Sequence, residues 1–290
     1  MKNIYCLLSC LFVFFMLTAQ YSEAAMIQVD PPKVFLNIPA GRSGSGKLTV
    51  RNPDEEAIKI KVYAQDWKYS DTHDGTKLFF PIGTLPLSCA NWITFSLSEM
   101  EIPAEGQQDI YYTVKVPADA AGGHFAVLFF ESLVAKPLAS GSSNVALGLI
   151  VRLGAIFHVE TAGNSVRTAE VNNFSLQRQS SKKPLEIGLD IKNTGNTDII
   201  AKGTLHLINK KGVIFVRASF NKVYSLPEET ARLTASWKEP VPKGIYDAIL
   251  TIDVGKASQE DQWNADFVIT KETEVEIGSS GEVLKAGELR

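Results

Sequence analysis

Cysteine is nearly absent from this 290-residue sequence. Cys6 and Cys10 fall in an amino-terminal stretch with the layout of an export signal, which leaves Cys89 as the only thiol of the mature chain. No disulfide framework is then possible, so each domain must rely on its apolar core. Long hydrophobic runs are missing too: after the first stretch no segment approaches about 18 consecutive apolar residues, and no membrane span is expected. Nor is there an excess of positive charge. With 29 basic and 32 acidic residues the formal net charge is -3, which argues against nucleic acid or an anionic membrane as partner and leaves proteins, then glycans.

The common catalytic and metal-binding signatures are also lacking. His73, His124, His158 and His206 are scattered without HxxxH or CxxC spacing, so neither a metal site nor a cofactor is called. Asp71, Asp74 and Gly75 lack the alternating acidic ligands and terminal Glu of a calcium loop. No Gly-x-Ser-x-Gly elbow surrounds any serine, and Cys89 has no partner in sequence marking it as a nucleophile. The run Gly41-Arg42-Ser43-Gly44-Ser45-Gly46-Lys47 imitates a phosphate-binding loop. Leu48 and a strand follow it, however, where Ser or Thr and a helix are needed, so it is read as a glycine-rich connection. Asn173-Phe174-Ser175 fits the glycosylation pattern, which is short enough to arise by chance. The chain is read as non-catalytic.

Residues 1–25 have the features of a signal peptide: Lys2, an apolar core over 4–17, and Ser22-Glu23-Ala24 as a small-x-small cleavage site. The protein is therefore expected to be exported. From residue 26 onward, runs of β-branched and aromatic residues alternate with Gly, Pro, Asn and Asp clusters, and no 3.6-residue stripe appears. The fold class is all-β, with two immunoglobulin-like β-sandwich domains in tandem over 26–160 and 161–270, followed by a polar tail over 271–290. Seven strands are expected in the first domain, over 27–37, 47–52, 57–66, 92–97, 108–116, 124–133 and from 144. About seven more follow from 171, with Asn209-Lys210-Lys211-Gly212 as a hairpin turn. Trp67, Trp92, Trp237 and Trp263 are assigned to sandwich cores rather than to a glycan surface.

The stretch 143–160 stands out. Val145, Leu147, Leu149, Val151, Leu153, Ala155, Phe157 and Val159 occupy every second position, giving one apolar face over about 50 Å, far more than an ordinary strand. Either this strand connects the two domains, or its early part offers an apolar edge to something else.

With the strands placed, the first domain resembles the amino-terminal domain of the periplasmic pilus-assembly chaperones, the PapD-like family. The residues that carry the likeness are Ile27-Gln28-Val29-Asp30-Pro31-Pro32-Lys33-Val34-Phe35-Leu36, Leu48-Thr49-Val50-Arg51-Asn52, Trp92-Ile93, Val114-Lys115-Val116-Pro117 and the strand ending Val151-Arg152-Leu153. Through Val116-Pro117-Ala118-Asp119 with Gly122-Gly123, and through Lys192-Asn193-Thr194-Gly195-Asn196, the chain is also similar to the two-domain WxL-interacting surface proteins. Those proteins usually end in a membrane anchor. The sequence closes on no anchor-like stretch, which turns the expectation towards the periplasm, with secretion or the cell surface as alternative.

The chaperone resemblance implies binding of exported, pilus- or fimbria-type subunits by β-strand donation. Val145, Leu147, Leu149 and Val151 would then be the donated row, and Lys33 and Arg152 basic anchors in the cleft for a subunit carboxylate. Lys33 stands where the family usually has arginine, and His124-Phe125-Ala126-Val127-Leu128-Phe129-Phe130-Glu131-Ser132 departs from the family's usual strand. The alternative is a non-catalytic cell-envelope scaffold or adhesion module that uses the same strand entirely within its own fold. The oligomeric state is left open.

Overall fold

The computed structural model describes residues 27–137, 146–178, 180–259 and 263–290; residues 1–25, over which an export signal is expected, and Val145 lie outside them. The described chain is all-β, and its only helical pieces are the 3-10 turns Ala90–Trp92 and Ala257–Gln259. Its first part supplies β1 (Gln28–Asp30), β2 (Lys33–Ile38), β3 (Ser43–Arg51), β4 (Ile58–Tyr69), β5 (Lys77–Phe80), β6 (Ile93–Phe95), β7 (Glu99–Ile102), β8 (Gln107–Lys115), β9 (Gly123–Pro137) and β10 (Ala146–Thr161). Its second supplies β11 (Ala169–Gln177), β12 (Leu185–Asn193), β13 (Ile199–Asn209), β14 (Ile214–Ser219), β15 (Val223–Ser225), β16 (Thr230–Trp237), β17 (Gly244–Gly255), β18 (Phe267–Ile277) and β19 (Val283–Ala286).

These strands form four sheets, two to each sandwich. In the first domain the sheet β1-β3-β8-β6 faces β2-β10-β9-β4-β5, with β7 also paired to β4. Leu48, Ile60, Ile110, Leu128, Phe130 and Phe157, all fully buried, fill the space between them. In the second, β11-β12-β16 faces β14-β13-β17-β18-β19, with β15 on β13, around Leu185, Leu189, Leu205, Leu233 and Leu250. Alternation of apolar and polar residues along β12, β16 and β17 places one face of each in this core.

The two sandwiches share a corner at chemical detail. Asn52 directly follows β3, Asn193 ends β12, and both are buried. Asn52 Nδ2 donates to the carbonyls of Glu56, Ile102 and Pro103, and Asn193 Nδ2 to those of Thr197 and Ser225. The backbone N–H of Asn52 bonds Gly106, that of Asn193 bonds Glu229, and the preceding residues Glu105 and Glu228 both have positive φ. A buried amide that collects the loose carbonyls at a strand end leaves little polar backbone unpaired there.

Three features differ from the sequence reading. The expected strand over 27–37 splits at Pro31-Pro32, which have no N–H to donate. As a result β1 pairs with β3 in one sheet, while β2 pairs with β10 in the other. The glycine run over 41–47 is mostly strand β3 rather than loop: Gly44 leaves room for Ile38, and Gly46 for the Tyr112 hydroxyl. Residues 271–290 are not a loose tail. β18 continues to Ile277, β19 pairs with it, Val275 and Ile277 are buried, and Leu289 packs on the second core. The acidic residues that made this stretch look like a tail occupy the outward face of an alternating strand.

A third apolar core lies between the domains. Trp67, Tyr69, Phe125, Val127 and Phe129 of the first domain meet Ile200, Tyr224, Leu226 and Ala257 of the second. The turn between β4 and β5 reaches over to β15, where Tyr224 N–H donates to the His73 carbonyl at 2.9 Å. Gly123 N–H donates to the Asn196 carbonyl, also at 2.9 Å, and a Cβ on Gly123 would collide with Thr197.

Candidate functional site: an open strand edge above the interdomain cleft

β10 pairs with β9 along its whole length, from Ala146 opposite Pro137 to Glu160 opposite Gly123. On its other side β2 joins only at Ile156, opposite Lys33, and the Ile156 N–H donates to the Pro32 carbonyl at 2.9 Å. Pro31 and Pro32 cannot extend that ladder upstream. Among the described residues, no strand pairs with this side of β10 over residues 146–155. The open edge is about 33 Å long at 3.3 Å per residue. Since Ile156 directs its N–H away from β9, the same alternation turns the N–H groups of Gly148, Ile150, Arg152 and Gly154 to the open side.

The side chains of β10 divide between two faces. Ala155, Phe157 and Val159 are buried in the first-domain core, with Val151 and Leu153 half-buried against it. The side chains of Leu147 and Leu149, named in the sequence reading, lie outside the described residues. The even-numbered face looks into the cleft: Ile150 is 62% exposed, Arg152 is exposed, and Ile156 and His158 enter the interdomain core region.

Lys33 and Arg152 both belong to this cleft face, since Lys33 alternates with Phe35, which stacks on His158 at 4.9 Å. They are not side by side. Lys33 lies opposite Ile156, about 13 Å along the strand from Arg152. Between them Gly154 is overhung by β9, where a Cβ would come 2.7 Å from Val127 and 3.1 Å from Phe129. The Arg152 guanidinium lies 4.3 Å above the Phe129 ring. Beside it Tyr63 donates to Glu131 Oε2 at 2.6 Å. Burial pushes the Tyr63 phenol up, its bond to Glu131 adds to this, and Arg152 opposes both.

Further out, the cleft face carries a groove of about 670 Å³ lined by Lys59, Lys61, Glu99, Met100, Glu131 and Ile150, among others. A transverse charge row runs along it. Glu99 on β7 stands opposite Lys61 on β4, Lys61 opposite Glu131 on β9, and Glu131 opposite Arg152 on β10.

At the inner end of the cleft a buried polar cluster joins the domains. His158 Nδ1 lies 3.4 Å from Asp198 Oδ2, and Tyr69 donates its hydroxyl to the same oxygen at 3.4 Å. Arg167 donates Nε to the Asp198 carbonyl at 3.1 Å, pairs with Glu160, and stands 3.7 Å from both Asp198 Oδ1 and Asp266 Oδ2. Burial works against the Asp198 carboxylate, but contact with His158 and the nearby Arg167 outweigh it and hold the carboxyl below the usual range. No local spacing in the sequence announces this cluster, because its members come from β4, β10, the segment after it, the approach to β13 and the approach to β18.

The remaining sequence candidates occupy structural positions. His73 Nδ1 lies 2.9 Å from the Tyr224 carbonyl, and His124 stacks on Trp92 at 4.3 Å, where burial pushes its imidazole down. Asp74 caps its own turn through the Thr76 N–H at 2.9 Å. Burial pushes the Cys89 thiol far up, away from nucleophilic character. Trp67 is core and donates to the Ala126 carbonyl at 2.9 Å. Among the described residues no group of three His, Cys, Asp or Glu is placed to hold a metal, and no helix is long and apolar enough to cross a membrane.

No protein-family model and no curated protein sequence matches the chain. Solved structures with a similar strand arrangement include periplasmic pilus chaperones of the PapD-like type. The class 5 fimbriae chaperone CfaA is 13% identical over 85% of this chain and 98% of its own, with a TM-score of 0.49. The Escherichia coli chaperone DraB is 12% identical over 92% and 97%, with a TM-score of 0.40. The SafB chaperone, solved with the Salmonella enterica pilin SafA, belongs to a match at 11% identity over 86% and 97%, with a TM-score of 0.41. These likenesses concern the arrangement of strands alone.

Proposed function

We propose that this chain is a periplasmic chaperone-like protein that binds exported, pilus- or fimbria-type subunits by β-strand donation along β10. The observation that carries the reading is the open edge over residues 146–155. A long edge with free N–H and C=O groups is a template for another strand, and its main-chain bonds supply affinity whatever the partner's sequence. The row Val145, Leu147, Leu149 and Val151 supplies the apolar side chains of the donated strand. Each one buried contributes roughly 1.5 to 3 kcal/mol before the cost of association is deducted. Lys33 and Arg152 act as basic contacts on the cleft side.

Hydrogen exchange tests the reading at single-residue level. In the free protein the amides of Gly148, Ile150, Arg152 and Gly154 should exchange fast while odd-numbered neighbours bonded to β9 are protected. Adding envelope subunits should protect the even-numbered set, and Leu147→Glu should abolish their capture. A second reading, a non-catalytic envelope scaffold, draws on Val151 and Leu153, which pack at home. Protection of the even-numbered amides in the free protein, or equal capture by Leu147→Glu, sinks strand donation and leaves the scaffold.

A further inference from the structure

The transverse row on the cleft face alternates strictly in sign: Glu99, Lys61, Glu131, Arg152. Opposite charges directly across neighbouring strands attract, and like charges there repel. The row ends on a positive charge at the open edge, so the next position, about 4.8 Å further on, belongs to whichever strand docks there. The Arg152 guanidinium stacks on Phe129 of β9, one strand in from that position, and stays exposed. Two residues away on the same face, Ile150 is 62% exposed, the highest value for any large hydrophobic side chain among the described residues. A docked strand would place one side chain against each.

Resting on the strand-donation reading, we infer that the strand this edge accepts carries an acidic side chain opposite Arg152 and, two residues away, a large apolar side chain opposite Ile150. The acid continues the alternation of the row, and a guanidinium meets a carboxylate through charge-assisted hydrogen bonds. The apolar residue covers Ile150. The pair also sets the register: a slip by one residue turns both side chains to the opposite face. The main-chain ladder supplies general affinity, and this pair selects among subunit strands.

Synthetic strand peptides with amidated carboxyl ends test it. One series carries Glu, Gln or Lys two residues from a Leu on the same face, so that no terminal carboxylate substitutes for the side chain. The Glu peptide should bind the full chain about tenfold more tightly than the Lys peptide, and Arg152→Glu should reverse that order. Arg152 is exposed, so Arg152→Glu should still fold, with a lowered thermal midpoint because it sets a second acid opposite Glu131. Equal affinity of the three peptides, with even-numbered edge amides protected by all of them, overturns the inference and leaves strand donation standing. Binding that depends on a free carboxyl terminus rather than on the Glu also overturns it. Failure of every peptide to protect the edge counts against strand donation itself.

Discussion

Single residues decide how this protein keeps polar groups in its interior. Asp198 is almost wholly buried, and it stays ionised because His158, Tyr69, Thr197 and Arg167 surround it. Its carboxyl is held below the usual range in the fold, so it favours the folded state above its unfolded pKa, near 3.9, and that contribution fades as pH falls through the lower folded value. Urea midpoints should therefore fall below about pH 4 in the natural protein, with a smaller drop in Asp198→Asn. At neutral pH that variant should lose about 3 kcal/mol, since it strips a partner from a buried cation. Arg178 presents a second case. It is buried and donates to the carbonyls of Ser180, Ser181, Lys183, Lys238 and Glu239, tying two loops at the end of the second domain. Arg178→Ala should cost on the order of 3 kcal/mol by leaving several carbonyls without a donor, read as a lowered denaturation midpoint.

At the scale of elements, β10 has two surroundings in succession. Over 146–155 it has β9 alone, and over 156–161 it is clasped by β2 and β9 as it carries the chain into the second domain. Gly154 lies near the passage between the two, where Val127 and Phe129 of β9 lean over it. Gly154→Ala should force those side chains aside, lower the thermal midpoint and disturb the Arg152 stack on Phe129. The alternation that identifies β10 as a strand is visible in sequence. The absence of a partner on one side is not, because pairing depends on where a remote segment, β2, is able to begin.

For the whole molecule, the shared core and its polar cluster matter most. Trp67, Tyr69 and Phe125 on one side and Tyr224 and Leu226 on the other make the interface a continuation of both interiors. Two domains joined this way should unfold together, so denaturation followed by tryptophan fluorescence and by far-ultraviolet dichroism should give one coincident transition. Tyr224→Ala removes a ring stacked 5.3 Å from Tyr69 and should pull the two transitions apart. A fixed angle between domains keeps the cleft face of β10 in one orientation, which suits an edge that has to present its side chains in register.

The sequence by itself determined the all-β class, the length of β10 and its two faces, because these follow from local period and turn chemistry. Lys33 and Arg152 came from the resemblance to the chaperone family and not from local period. Their separation along the cleft face was legible in neither, since it depends on the parallel register of β2 against β10. Likewise the folding of 271–290 onto β17, the charge row from Glu99 to Arg152 and the His158–Asp198 contact join segments far apart in the chain. Only tertiary structure decides which remote strands become neighbours, and so which side chains share a face and which edge is left open.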